Sequence, residues 1–201
     1  MPAEFLPYLW VLIAYLLGSI STAIVTCKLM GLPDPRTVGS KNPGATNVLR
    51  HGGKKAAFFT LLGDVLKGLI PVLVARFVLG MSAEWVMLTG LAAFLGHIYP
   101  LYYHFRGGKG VATAIGAYVG IHWLAGMAVV IIWLFVAKIL KISSLAALIA
   151  NLLAPLIFYL VTGNTAIALG ISLIVLIIFW RHRSNIRNIL EGTENKIGPK
   201  R

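Results

Sequence analysis

Six runs of apolar residues decide what this chain can become. They cover residues 5–26, 56–79, 85–103, 111–137, 145–161 and 166–180. A helix needs about 20 residues to cross the hydrocarbon of a bilayer. Inside lipid each backbone polar group must find its partner within the segment, so such runs fold as helices. The expected fold class is all-α: one polytopic membrane domain over 1–201. A chain that is 58% hydrophobic and 12% charged suits lipid far better than cytosol. Its net charge of +12 would suggest nucleic acid on a soluble protein. Here the basic residues sit between apolar runs, so topology, lipid head groups and a phosphate-bearing substrate explain them, and no nucleic acid is expected. Cys27 stands alone, which leaves no internal disulfide and no cysteine metal cluster. No basic residue precedes the first run, so a retained helix is expected rather than a cleaved signal peptide.

The run 111–137 could be one long tilted helix, or two helices broken near Gly120–His122, and charge placement decides between them. Lys and Arg favour the cytoplasmic side. Breaking that run gives seven transmembrane helices, with the N-terminus outside and the C-terminus cytoplasmic. The inside segments then hold 16 of the 18 basic residues, and the outside loops near 80–84, 120–122 and 163–164 hold none. Six helices would turn either the first basic loop or the basic tail outward. The consequence of seven is that two helices share 111–137, so one is short, tilted or enclosed by protein.

This count brings three polar stretches to one side. The first is LPDPRTVGSKNPGATNVLRHGGKKA. Pro33 and Pro35 bar a continuous helix. Ser40, Asn42, Thr46 and Asn47 supply turns and small hydrogen-bonding groups whose exposed amides can form an anion nest. Arg50 offers a donor fork suited to phosphate. A solvated positive-inside loop is the plainer reading. The second stretch is GHIYPLYYHFRGGKGVAT. Gly107, Gly108 and Gly110 surround Lys109 just before an expected helix start, where free amides attract anions. A nucleotide P-loop is disfavoured, because Gly110 stands where Ser or Thr is required and no strand precedes it. A plain tight turn is the other reading. The third stretch is RHRSNIRNILEGTENK. Its helical spacing would put His182 and Asn185 on one face, although an amphipathic tail lying on anionic lipid has the same pattern. Ser143 and Ser144 occupy the preceding inside turn, where a helix cap is the default role. Asp64 and Lys67 lie within a span, three residues apart. Each charge there costs about 2.5–3.5 kcal/mol by insertion scales, so pairing or a contact with a site is required.

The chemistry is carboxylate-poor: Asp34, Glu191 and Glu194 are the acids near these stretches. No His lies five residues before Asp34 or Asp64, so the H-x-x-x-x-D pair of common glycerolipid acyltransferases is absent. No Ser-His-Asp set or H-E-x-x-H can be written. Such a site stabilises negative charge but is poor at activating a weak leaving group. A substrate carrying its own good leaving group, such as phosphate, fits it.

At this point GSKNPGATNVLR (39–50), GHIYPLYYHFRGGKGVAT (96–113) and HRSNIRNILEGTENK (182–196) resemble the bacterial acyl-phosphate-dependent glycerol-3-phosphate acyltransferases, over essentially the whole length. The resemblance implies synthesis of lysophosphatidic acid from acyl phosphate and glycerol 3-phosphate. The active site would face the cytoplasm from the bacterial inner membrane, and acyl-CoA or acyl-carrier protein would not be the direct donor. It implies that Gly107, Gly108, Lys109 and Gly110 hold phosphate, and that Ser40, Arg50, His182 and Asn185 line the glycerol phosphate site. Asn42, Thr46, Asn47, Ser143, Ser144 and Glu194 complete the expected substrate-binding set. No cofactor and no metal is expected: His97, His104 and His122 lack a helical ligand pair. A monomer is expected. A transporter of phosphate-bearing solutes would place polar residues near the midplane of several helices, where only Asp64 and Lys67 qualify.

Overall fold

The computed structural model describes residues 3–197, and these fold entirely as helices and turns. The elements are α1 (Leu6–Gly18), α2 (Thr22–Leu29), α3 (Ala45–Leu73), α4 (Ala83–Ile98), α5 (Val111–Ile121), α6 (Trp123–Leu140), α7 (Ser143–Thr162), α8 (Thr165–Arg181) and α9 (Arg183–Leu190). Four helical segments are long and apolar enough to cross a membrane: Ala45–Val78, Ala83–Tyr103, Trp123–Leu140 and Ser143–Thr162. The number rises to six when the bent pairs α1 with α2 (43°) and α8 with α9 (60°) each count as one span. The fold is therefore a helical membrane bundle with four to six candidate spans.

Three boundaries differ from the sequence expectation. The first run is not one helix; it breaks at Ser19–Ser21. The carbonyl of Ile20, freed by that break, accepts a 2.7 Å hydrogen bond from Lys67 Nζ on α3. α3 begins at Ala45 rather than near 56, so Thr46 and Asn47 lie in a helix and not in a loop turn. Gly53, with φ of +81°, then kinks α3 between its polar start and its apolar body. α4 ends at Ile98, ahead of Pro100 and a short 3-10 turn over Leu101–Tyr103.

The run 111–137 does break, at His122. Its extended backbone caps the start of α6, and Nδ1 faces the Ala125 amide at 3.5 Å. At the other side of the break, Arg76 donates to the carbonyls of Gly120 and Ile121, which closes the end of α5 with a cation where the helix dipole is negative. α5 has 11 residues, about 16 Å at 1.5 Å each and only half a hydrocarbon core. It survives because it is enclosed: Ala114, Ala117 and Tyr118 are fully buried. The Tyr118 hydroxyl donates to Asn151 Oδ1 on α7 at 3.1 Å.

Backbone approach sets the packing. A Cβ on Gly68 would overlap the Thr113 carbonyl, and one on Gly116 would overlap the Val65 carbonyl, so α3 and α5 touch main chain to main chain. Gly18 and Gly96 do the same for α1 and α4. Small residues at helix contacts are what lipid, which offers no hydrophobic drive between helices, demands. Large side chains such as Phe135, Leu160 and Leu176 point outward instead and are exposed.

The last residues of the α3, α5 and α7 segments meet the first residues of α4, α6 and α8 at one end of the bundle. There Arg76, Met81, Ala83, Ile121, His122, Thr162 and Asn164 share the walls of a cavity of about 420 Å³. The polar stretches gather at the opposite end, where the contacts described next join them.

Candidate functional site

The glycine turn is fixed by what touches its carbonyls. After α4, His104 and Phe105 take left-handed φ of 53° and 57°, and the chain folds back. The Gly108 amide donates to the His97 carbonyl at 3.2 Å. The Arg181 guanidinium, at the end of α8, donates to the carbonyls of Gly107 (2.8 Å) and Gly108 (3.1 Å). With these carbonyls taken, the amides of Lys109, Gly110 and Val111–Thr113 make no hydrogen bond among the described residues. They are the orphan donors of a helix start, a ready site for an anion. Side chains cannot replace the glycines: a Cβ on Gly107 would overlap the His97 carbonyl, and one on Gly108 the His97 ring. Gly110 has φ of +82° and faces the Phe94 ring.

Lys109 reaches across to the third stretch. Its Nζ donates to Asn185 Oδ1 on α9. Asn185 Nδ2 donates in turn to Glu194 Oε1 at 2.7 Å. The Ser144 hydroxyl reaches the same oxygen at 2.8 Å, and Asn188 Nδ2 reaches Oε2 at 3.2 Å. Glu194 thus anchors the tail to α7 and α9. Burial pushes the Lys109 ammonium below its ordinary pKa; the Glu194 charge opposes this, and Arg181 and Arg50 add to it.

His182 lies between α8 and α9, so it caps the tail helix rather than sharing a helical face with Asn185. It is 3% exposed. Its Nδ1 donates to the Ile178 carbonyl at 2.8 Å. That bond puts the proton on Nδ1 and leaves Nε2 as an acceptor. Burial pushes its pKa down to about 4, partly offset by the Ile178 hydrogen bond. The ring is therefore neutral at pH 7.

The first stretch joins the same end. The hydroxyls of Thr46 and Ser143 meet at 3.3 Å. Arg50 Nη2 lies 3.4 and 3.3 Å from the carbonyls of Asn195 and Lys196, long bonds that a stronger anion would displace. Ser143 and Ser144 do not cap α7, because Ile142 holds that position; their hydroxyls are spent on Thr46 and Glu194. The Asn47 side chain is engaged within its own stretch. It is buried and donates to the carbonyls of Pro35 (2.8 Å) and Val38 (3.1 Å), while Oδ1 accepts from the Ser40 amide. It shapes the loop that carries Ser40. Ser40 is exposed, and its hydroxyl makes no hydrogen bond among the described residues. Asn42 turns its carbonyl to the Gly44 amide at 2.9 Å, and its side chain lies against Gly44.

Arg181, Asn188 and His97 were missed by sequence reasoning. Arg181 reads as one more charge at a span end, and only the folded turn reveals that it holds two carbonyls. The assembled site brings the charges of Arg50, Arg181 and Glu194 to bear on Lys109, beside the unbonded amides of the turn. It can bind phosphate groups and stabilise charge developing on an oxygen.

The sequence profile described as Glycerol-3-phosphate acyltransferase matches residues 8–192. A glycerol-3-phosphate acyltransferase of Thioalkalivibrio sulfidiphilus is 59% identical over 190 residues, covering 94% of this chain and 93% of that protein. One from Ruthia magnifica is 54% identical, covering 98% and 100%. The crystal structure of PlsY (YgiH), an integral membrane glycerol 3-phosphate acyltransferase in its glycerol 3-phosphate form, superposes with a TM-score of 0.90 at 38% identity, over 96% of each chain. Its lysophosphatidic acid form gives 0.88 at 37%, over 96% of this chain and 95% of that one. Matches that run nearly from end to end place this chain in the glycerol-3-phosphate acyltransferase family.

Proposed function

We propose that the protein transfers an acyl chain from acyl phosphate to the C1 hydroxyl of glycerol 3-phosphate, giving 1-acyl-glycerol 3-phosphate and inorganic phosphate. The observation that carries this reading is the glycine turn: its carbonyls are tied back by Arg181, while its amides and Lys109 remain for a phosphate. The relatives crystallised with glycerol 3-phosphate and with lysophosphatidic acid support the acceptor and product. The donor is inferred from the site. The turn presents amides and an ammonium that stabilise anionic charge, so it suits a substrate whose leaving group departs as an anion, and phosphate does.

In this mechanism the acyl tail stays among the apolar helix faces while the turn and Lys109 hold the donor phosphate. Arg50 leaves the Asn195 and Lys196 carbonyls to hold the phosphate of glycerol 3-phosphate, with Ser40 at its rim. Asn185 keeps Lys109 aimed, and Glu194 keeps Asn185 in place. The C1 oxygen attacks the acyl carbonyl carbon, the carbonyl-to-phosphate bond breaks, and the phosphate leaves with the electron pair. The hydroxyl proton goes to a donor phosphate oxygen. The donor phosphate becomes more basic as its bond to the acyl carbon breaks, whereas burial disfavours protonation of the His182 ring. His182 is then a positioning acceptor for the hydroxyl through Nε2.

His182→Ala should raise KM for glycerol 3-phosphate about tenfold, the value of one hydrogen bond lost from a closed site. The acidic limb of the pH–rate profile should stay where it is. The sign follows from the depressed pKa: His182 gains its proton only as pH falls toward 4, below the range in which a substrate phosphate titrates. Loss of that limb in the variant would make His182 the base.

The seven-helix arrangement, with the N-terminus outside and the site on the cytoplasmic face of the bacterial inner membrane, belongs to the same proposal. It is supported by the meeting of the ends of α3, α5 and α7 with the starts of α4, α6 and α8 away from the site, and by the basic residues at the site's end. A monomer is part of the same proposal. Purified protein should convert labelled glycerol 3-phosphate to a monoacyl product with acyl phosphate and not with acyl-CoA. Equal rates with acyl-CoA would remove the donor assignment.

A further inference from the structure

A buried polar cluster joins the glycine turn to the broken first helix, and neither the turn nor the ion pair alone requires it. Asp64 and Lys67 are 2% and 9% exposed, and His97 is 7% exposed. Asp64 Oδ1 accepts from Lys67 Nζ at 2.9 Å and from the Thr22 hydroxyl at 2.6 Å. His97 Nδ1 lies 3.4 Å from that same oxygen and has no hydrogen-bond partner of its own among the described residues. Lys67 also donates to Ile20 at the break between α1 and α2. The opposite edge of the imidazole, Nε2, fills the space beside Gly108 where a side chain would start. The His97 carbonyl accepts the Gly108 amide, and it bars a side chain at Gly107.

A structural ion pair would be complete with Asp64, Lys67, Thr22 and the Ile20 carbonyl. It would not need a histidine with one nitrogen turned to the carboxylate and the other pressed on the turn. Asp64, Lys67 and His97 come from α3 and α4, and Thr22 from α2, so this one contact ties three helices to the backbone that faces the donor phosphate. A charged pair deep in a bundle is expensive to keep, and where one occurs it usually serves a site.

We propose that His97, oriented by the Asp64–Lys67 pair, is the positioning residue for the acyl-phosphate turn. Its carbonyl and ring set the place of Gly107 and Gly108, and through them the direction of the Lys109 amide and side chain. The inference rests on the reading that the turn holds the donor phosphate. Glycerol 3-phosphate is held by Arg50 and Ser40 on another stretch, so its binding should be indifferent to the network.

The test is steady-state kinetics on purified, detergent-solubilised variants whose thermal unfolding shows them to be folded. Asparagine can keep a donor where Nδ1 stood, and glutamine a polar group where Nε2 stood. His97→Asn, which withdraws from the turn, should raise KM for acyl phosphate or lower kcat by about 10- to 100-fold, the scale of an ångström's misplacement. KM for glycerol 3-phosphate should stay within about twofold, the scatter expected of an uncoupled site. His97→Gln should recover part of the loss. Thr22→Val, nearly isosteric and remote from the turn, should shift the same donor parameter in the same direction by a smaller factor, and it tests the network if His97→Asn does not fold. Donor parameters unchanged in the folded variants overturn the proposal, as do both KM values rising together. Lys109→Ala in the same series reports on the underlying reading: turnover near that of the unaltered protein overturns the assignment of the turn itself.

Discussion

Lys109→Ala is expected to leave no measurable turnover, a loss on the order of 10³-fold, at the upper end of what removing one stabilising donor costs. The size follows from where the ammonium sits. Arg181 spends its donors on the turn's carbonyls, and Arg50 is held near the tail carbonyls. Lys109 is the cation of the glycine turn itself. Burial already disfavours its charge, so a phosphate dianion arriving beside it recovers an interaction that bulk water would have screened. Part of the loss could come from the scaffold, because Nζ bonds Asn185, and Asn185 bonds Glu194. Asn185→Ala separates the two contributions. It frees Lys109 from its partner but keeps the charge, and should cost less than Lys109→Ala in kcat/KM. Near-wild-type rates in Lys109→Ala, measured as monoacyl product from acyl phosphate, would take the turn out of the reaction.

The sequence carried the helices and the gathering of the site, and the reasons show where such reading stops. Apolar length and charge placement depend only on local composition, so the runs and the break at His122 could be read directly. The polar end followed, because basic stretches that alternate with apolar runs must collect on one side. What could not be read was any feature whose partner is remote in sequence. The break at Ser19–Ser21 carries no charge and no proline; it is tolerated because Lys67 satisfies Ile20 from another helix. Asn47 has the composition of a turn, yet it sits in α3 because its amide finds carbonyls in the loop before it. Ser143 and Ser144 look like caps, and their hydroxyls instead cross to Thr46 and Glu194. His97 resembles a core histidine until the absence of a side chain at Gly108 gives its ring something to press on.

Glycines divide along the same line, and this yields the second large effect. Gly116→Leu should destabilise the bundle by at least about 3 kcal/mol, the upper end for overpacking, because the new Cβ meets the Val65 carbonyl and not a side chain that could rotate away. Gly31→Ala is the comparison. Gly31 has φ of +65° with open space around it, so alanine there pays only for a left-handed backbone, about 1–2 kcal/mol. In detergent-solubilised protein the two should separate in Tm, since 1 kcal/mol moves a chain of this size by roughly 2–4 °C. Activity should separate them further. α5 begins at the glycine turn, and forcing it away from α3 moves the amides and Lys109 that face the donor phosphate, so Gly116→Leu should lose turnover at temperatures where it is still folded. Gly31→Ala, on the loop after α2, should keep its rate. Equal and small losses in both variants would mean that α3 and α5 can part without consequence, and that the close backbone contact is not what holds the turn in place.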